Sequence, residues 1–305
     1  MALKSWVVFF MKDNTEEILD QNVPLKDRMT VYIGVAVVLL TSWFYILGMG
    51  WHMGTLPFSD NMSMEMPMDG SMEMPMDGSM KMAKETTLLS SILTWMPPMD
   101  NAWHAKDFFL LFLMWSVMMV AMMTPSILPM LMLFTTLNVR QKQQGQISSS
   151  SLILLSGYLL SWIIFSLVIT LPQYLMHISG MLNPMMEPSH AYLGSIMLVI
   201  AGIYQFTPLK DACLNVCQSP LSFMMNNWKE GNLGAFIIGY KHGFFCVGCC
   251  WALMLTLFAL GVMNILWVII LTIFVLFEKL AYKQPLLFRK ITGTLLILWG
   301  IGISL

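Results

Sequence analysis

Residues 244–277 run for 34 positions without one charged side chain. A helix needs roughly 20 apolar residues to cross the hydrocarbon core of a bilayer, which is about 30 Å thick. At about 1.5 Å per residue a single straight helix over this run is far too long. The run therefore reads as a helical hairpin that turns at Gly261-Val-Met-Asn264. Apolar runs also cover 30–49, 108–134, 152–176, 191–208 and 286–305, which with the hairpin makes seven spans, the sixth the shortest. Pro125 and Pro129 are expected to kink or break the second span, because proline removes a helical hydrogen bond and clashes with the preceding turn. The fold class that follows is all-α, a polytopic integral membrane bundle of about seven transmembrane helices. Only 11% of residues are charged, against roughly a quarter in a soluble domain, so a soluble globular fold is excluded. A net charge of -1 offers nothing to a nucleic acid, and lipid is the expected surrounding. The first apolar run, residues 6–11, is too short for a signal peptide.

Four parts follow from this reading. Residues 1–29 form a cytoplasmic N-terminal segment and 30–49 the first span. Residues 50–107 form a polar loop outside the cell, and 108–305 form a six-helix metal-binding membrane domain. Charge sets the orientation, because lysine and arginine concentrate in cytoplasmic loops. With the N-terminus cytoplasmic, Lys4, Lys12, Lys26, Arg28, Arg140, Lys142, Lys210, Lys229, Lys279, Lys283, Arg289 and Lys290 all fall inside, and Lys241 with them. Lys81, Lys84 and Lys106 fall outside, in the long loop where the rule carries less weight. The expected location is a multi-pass position in the plasma membrane.

The outer loop holds a repeat. Met64-Glu-Met-Pro-Met-Asp-Gly-Ser71 recurs letter for letter at 72–79, followed by Met80-Lys-Met82. Met64, Met66, Met68, Met72, Met74 and Met76 therefore alternate with acidic, proline and other polar positions. Proline and glycine prevent regular structure there, and a polar tract has no core for methionine to fill. Thioether sulfur suits Cu(I) and binds harder ions poorly. The loop reads as a Cu(I) collector in preference to a functionless repeat, with His52, Met53 and His104 flanking it. In the second span Met114, Met118 and Met122 form an i, i+4 stripe beside Met119 and Met123. Such a stripe serves packing or a relay of weak thioether sites, and the sequence alone leaves both open.

All five cysteines lie in the C-terminal half. Cys213 and Cys217 are spaced i, i+4 within residues 209–231, expected as a loop after Pro208 bends or ends the fourth helix. On the fifth helix His242, Cys246, Cys249 and Cys250 share a stripe, with Met254 one turn on. Gly239, Gly243 and Gly248 would let another helix approach closely. One buried cysteine is usually an inert small hydrophobe. Two helically phased groups with a histidine one turn before the second are better explained as metal ligands. On the reducing side of a membrane they should be thiols, and thiolates suit Cu(I) or Zn(II). The methionines tilt the choice to Cu(I), with Cys213, Cys217, Cys246, Cys249 and Cys250 as ligands and His242 optional. Lys210-Asp211 and Glu278-Lys279, each at a helix end, read as interfacial anchors whose carboxylates are also able to support a ligand from behind. His177 and His190 flank a short outer loop and read first as solvated loop residues, second as a metal uptake or exit pair.

Gly202-Ile-Tyr-Gln-Phe-Thr-Pro-Leu-Lys-Asp-Ala-Cys-Leu and His242-Gly-Phe-Phe-Cys-Val-Gly-Cys-Cys-Trp-Ala-Leu-Met carry a resemblance, as do Gly261-Val-Met-Asn264, Glu278-Lys279 and the Met-Met-x-Ala-Met-Met-x-Pro run ending at Pro125. Over about 105–305 the chain resembles a family of predicted metal-binding integral membrane proteins often labelled copper chaperones. The first span and Met-rich loop look like an extension outside the shared core. The resemblance implies a polytopic α-helical fold and metal handling.

The leading expectation is a non-enzymatic, Cu(I)-binding membrane protein that captures copper outside and holds, transfers or delivers it through the Cys cluster. The acceptor would be a membrane copper enzyme or a copper-accepting protein. One alternative is a structural or assembly subunit of such an enzyme. Another is a thiol oxidoreductase using Cys246-Val-Gly-Cys249, although no thioredoxin-like strand pattern surrounds it. No phosphate-binding glycine loop points to ATP-driven pumping.

Overall fold

A computed structural model describes residues 24–52, 98, 103–145, 149–183, 186, 188–262, 264–280 and 285–304. The architecture is an all-α polytopic bundle, and its ten α-helices among the described residues are numbered here in chain order. They are α1 (Leu25–His52), α2 (Ala105–Met123), α3 (Leu128–Gln143), α4 (Ser151–Ile178) and α5 (Ala191–Tyr204). The C-terminal half adds α6 (Pro208–Gln218), α7 (Pro220–Asn227), α8 (Gly231–Leu260), α9 (Ile265–Leu280) and α10 (Pro285–Ser304). A 3-10 turn, Thr124–Ile127, joins α2 to α3 and has Pro125 in its first turn, while Pro129 opens α3. The expected break in the second span is therefore present, with each proline where its missing N–H costs no helical hydrogen bond.

Among the described residues five segments are long and apolar enough to cross a membrane: α1, α2 with α3, α4, α8 and α10. The α5–α6 pair, bent by 67°, makes a sixth if taken as one broken span. The sixth expected span corresponds to α9, whose 16 residues fall short of the usual crossing length. Two further expectations change. Residues 209–231 were expected as a loop and instead hold α6 and α7, each opened by a proline in its first turn. Thr207 caps α6 by accepting a hydrogen bond from the Lys210 N–H at 3.3 Å. The fifth span also starts earlier, since α8 begins at Gly231, thirteen residues before 244, and spans 30 residues.

The core forms where α2, α4 and α8 meet, around Trp115, Tyr158, Trp162 and Phe258. The outer faces are apolar too: Leu167, Leu171 and Leu175 on α4, Ile196, Ile200 and Ile203 on α5, and Ile291, Leu295 and Leu298 on α10 are exposed. Stripes of that kind are an aggregation liability in water and fit contact with lipid chains.

The contact that fixes α8 is a seam with α4. A Cβ placed on Gly243 would lie 2.6 Å from Ser161 Oγ, and one on Gly239 would collide with the Leu154 backbone. Gly157 makes the reciprocal approach toward Phe236 and Tyr240. Ser161 Oγ donates to the Tyr240 carbonyl at 2.9 Å, one of the interhelical hydrogen bonds that small-residue packing permits. Leu154 meets Gly239 and Ser161 meets Gly243, so the two helices run parallel. The closeness anticipated at Gly239 and Gly243 is thereby realised against α4. Gly248 serves a different neighbour, α6.

Candidate metal centre

The α8 stripe carries the seam straight into the cysteines. Gly239, Gly243, Cys246 and Cys250 follow the i, i+4, i+7 rhythm of one helical face. Tyr158, on α4, accordingly meets the Cys246 sulfur through its hydroxyl at 3.0 Å. The same hydroxyl lies 3.1 Å from the Met123 carbonyl, to which it donates, and 3.1 Å from Ser126 Oγ in the 3-10 turn. The C-terminal end of α2 therefore adjoins the cysteine cluster.

Cys249, about 80° round the helix, faces α6, where Cys217 approaches it with Sγ atoms 3.8 Å apart. Cys249 Sγ also lies 3.2 Å from Cys250 Sγ and donates to the Cys246 carbonyl at 3.1 Å. Cys246 in turn interacts with the thiols of Cys217, Cys249 and Cys250. Four of the five cysteines thus converge from two helices. The fifth, Cys213, sits one turn earlier on α6 against Gly248, where a Cβ would lie 2.9 Å from its sulfur. Tyr204 Oη donates to the Gly248 carbonyl at 2.5 Å, pinning the α5 end of the bend to the same point of α8. All five thiols are free.

Two sulfurs bound at about 2.3 Å to one ion stand about 3.8 Å apart in tetrahedral and about 4.0 Å apart in trigonal geometry. Cys217 and Cys249, at 3.8 Å, already meet that spacing. Cys249 and Cys250, at 3.2 Å, are too close, so Cys250 would have to turn to share an ion. Among the described residues no three His, Cys, Asp or Glu side chains stand as a finished ligand set. The donors suit a soft ion, but a bound ion requires rotamer changes.

His242 is 4% exposed, and its ring lies between those of Tyr158 and Phe223 at centroid distances of 6.1 and 5.4 Å. Its Nδ1 is buried one turn from Cys246 and has no hydrogen-bond partner among the described residues. Met118 and Met122 are buried in the core on α2, which packs against α1 and α4. Met64, Met66, Met68, Met72, Met74 and Met76 lie outside the described residues, as does Met53.

Of the four charges read from sequence as interfacial anchors, Lys210, Glu278 and Lys279 are buried, while the Asp211 side chain stays 42% exposed. Lys210 Nζ and Glu278 Oε1 pair at 2.7 Å with side chains 0% and 2% exposed, and neither group has another polar partner among the described residues. Arg289, on α10, pairs with Asp211. Gln218 donates to the Glu278 carbonyl at 3.0 Å, so α6 is tied to the C-terminal end of α9 at both of its own ends. Lys279, 7% exposed, donates to Cys246 Sγ at 2.7 Å and to Ser126 Oγ at 3.1 Å. The sequence placed both charge pairs at helix ends. It did not show that α6 folds back over the end of α9 and covers them. The available signal was that four charged residues stood at the margins of otherwise apolar helices, where ionisable groups tend to be functional.

His177 and His190, at the two ends of the α4–α5 connection, have different surroundings. His177 is buried, with Nε2 3.1 Å from the Pro98 carbonyl and its ring edge-on to Trp103 at 5.0 Å. His190 is exposed and stacks on Tyr192 at 5.2 Å.

No curated protein and no solved structure matches the sequence. A family model described as PpoB2 copper chaperone matches residues 112–303, a stretch that contains every helix contributing to the thiol cluster. With well over half of the chain covered, the protein belongs to the PpoB2 copper chaperone family and has a copper-related role.

Proposed function

We propose that this protein is a non-enzymatic membrane copper chaperone that captures Cu(I) outside the cell on its Met-rich loop and holds it on thiolates of the Cys cluster. From there it passes the ion to a copper-accepting protein, such as a membrane copper enzyme. The single observation that carries the reading is the convergence of Cys217 with Cys246, Cys249 and Cys250 inside a membrane-type bundle. Thiolates and thioethers prefer Cu(I) among the common ions.

The parts form a sequence of increasing donor strength. Methionines at 64–76 are exchangeable thioether donors, suited to collecting an ion where thiols would oxidise. The stripe at Met118 and Met122 ends beside the turn that touches Tyr158, one contact from Cys246. Thiolates bind most tightly and form the terminal store. His242, through its buried Nδ1, is the optional nitrogen ligand. The positive-inside count supports a cytoplasmic N-terminus, an outer Met-rich loop and a plasma-membrane location.

The test is the copper content of the detergent-purified chain against a triple variant with Cys246, Cys249 and Cys250 changed to Ser. Loss of copper in the variant is expected. Unchanged copper in a folded variant would remove the thiols from the site.

A further inference from the structure

The buried charges of the bundle do not cancel locally. Among the described residues four charged side chains are buried: Lys210, Glu278, Lys279 and Arg289. Lys210 pairs with Glu278 and Arg289 with Asp211, which leaves Lys279 without a carboxylate partner. Its ammonium rests on Cys246 Sγ at 2.7 Å and Ser126 Oγ at 3.1 Å. Taking an ammonium out of water costs several kcal/mol unless an opposite charge is near. Among the described residues, the ionisable group in direct contact with it is the Cys246 thiol.

We infer that Lys279 is a specificity-determining residue of the thiol site, biasing it toward singly charged soft ions and against divalent ones. This rests on the copper-binding reading above and extends it to selectivity. For one set of thiolates, the ammonium repels a dication twice as strongly as a monocation. Lys279 Nζ lies 2.7 Å from the Cys246 sulfur. An ion bound to that sulfur at about 2.3 Å therefore sits within about 5 Å of the charge. At an effective dielectric near 20, the second unit of metal charge is disfavoured by a factor on the order of 10². Zinc and copper(I) share a taste for thiolate, so ligand type alone separates them poorly. A fixed positive charge separates them by valence instead. Ser126 and Tyr158 hold the ammonium and the sulfur in place around this contact.

The test is an equilibrium competition of Ag(I), a redox-inert monovalent ion, against Zn(II) on the full-length chain in detergent, read as retained metal. Wild type is expected to prefer Ag(I), and Lys279→Gln to lose about 10²-fold of that preference. Lys279→Arg, which keeps the charge, should retain it. Ser126→Asp places a carboxylate beside Lys279 and should reduce the preference as Lys279→Gln does, so whichever variant is recovered folded decides. A wild-type preference in folded Lys279→Gln or Ser126→Asp would overturn the inference while copper binding stands. A wild-type chain that retains neither Ag(I) nor Cu(I) would instead overturn the copper-binding reading, and this inference with it.

Discussion

The sulfurs of Cys217 and Cys249 lie 3.8 Å apart across the α6–α8 contact, joining two cysteine groups 32 positions apart in sequence. Cys213, one turn away on the same helix, faces Gly248 instead. The i, i+4 pair therefore splits into one thiol in the cluster and one beside it.

That split gives unequal roles. Cys217→Ser should weaken Cu(I) retention by more than the ~10–100-fold typical of losing a group behind a ligand. Cys213→Ser should have the smaller effect. Copper remaining after dialysis against a graded Cu(I) chelator measures both.

Gly248→Ala places a methyl group 2.9 Å from Cys213 Sγ on a closely packed contact. Overpacking of this kind costs about 1–3 kcal/mol. A lower unfolding temperature in detergent is expected, together with faster maleimide labelling of Cys213 as α6 is pushed outward. Equal labelling rates would show that α6 absorbs the methyl without moving.

Lys210→Met leaves the Glu278 carboxylate buried with no counter-charge. Breaking a buried pair from one side costs about 3–5 kcal/mol, whereas replacing both partners by apolar residues is often neutral. Lys210→Met with Glu278→Leu should therefore recover most of the thermal stability lost by the single change. A double variant no better than the single would assign Lys210 a partner other than Glu278.

Changing Met64, Met66, Met68, Met72, Met74 and Met76 to Ser separates capture from storage. Cellular copper accumulation at limiting external copper should fall, while the purified variant, loaded directly, should hold as much copper as wild type. Equal loss in both measurements would place the methionines in the storage site itself.

Much of the bundle was legible because lipid demands a simple pattern. The apolar runs marked helices, Pro125 and Pro129 marked the break after α2, and the glycines of α8 marked a close approach. Residues 209–231 were misread because Lys210, Asp211, Asn215 and Gln218 make α6 polar on one side, and a polar stretch between apolar runs looks like a loop. The i, i+4 spacing of Cys213 and Cys217 was the helical signal within it. The burial of Lys210 and Glu278 was not legible, since it depends on a 67° bend between α5 and α6 that folds one helix end over another. Nor does any local pattern reveal that Lys279 rests on Cys246, because that contact joins residues 33 apart on different helices.

The glycine seam between α4 and α8 reaches further than the backbone contact it makes. Gly239 precedes Cys246 by seven residues, about 10 Å along the helix axis, on the same face. A bulky residue at Gly239 would wedge α4 and α8 apart and draw the Cys246 sulfur away from the Tyr158 hydroxyl without altering any donor atom. The chemistry of the thiols is thus mechanically hinged to a point two turns away. A change in helix spacing there, whether by mutation or by the thickness of the surrounding bilayer, becomes a change in how the thiols are spaced.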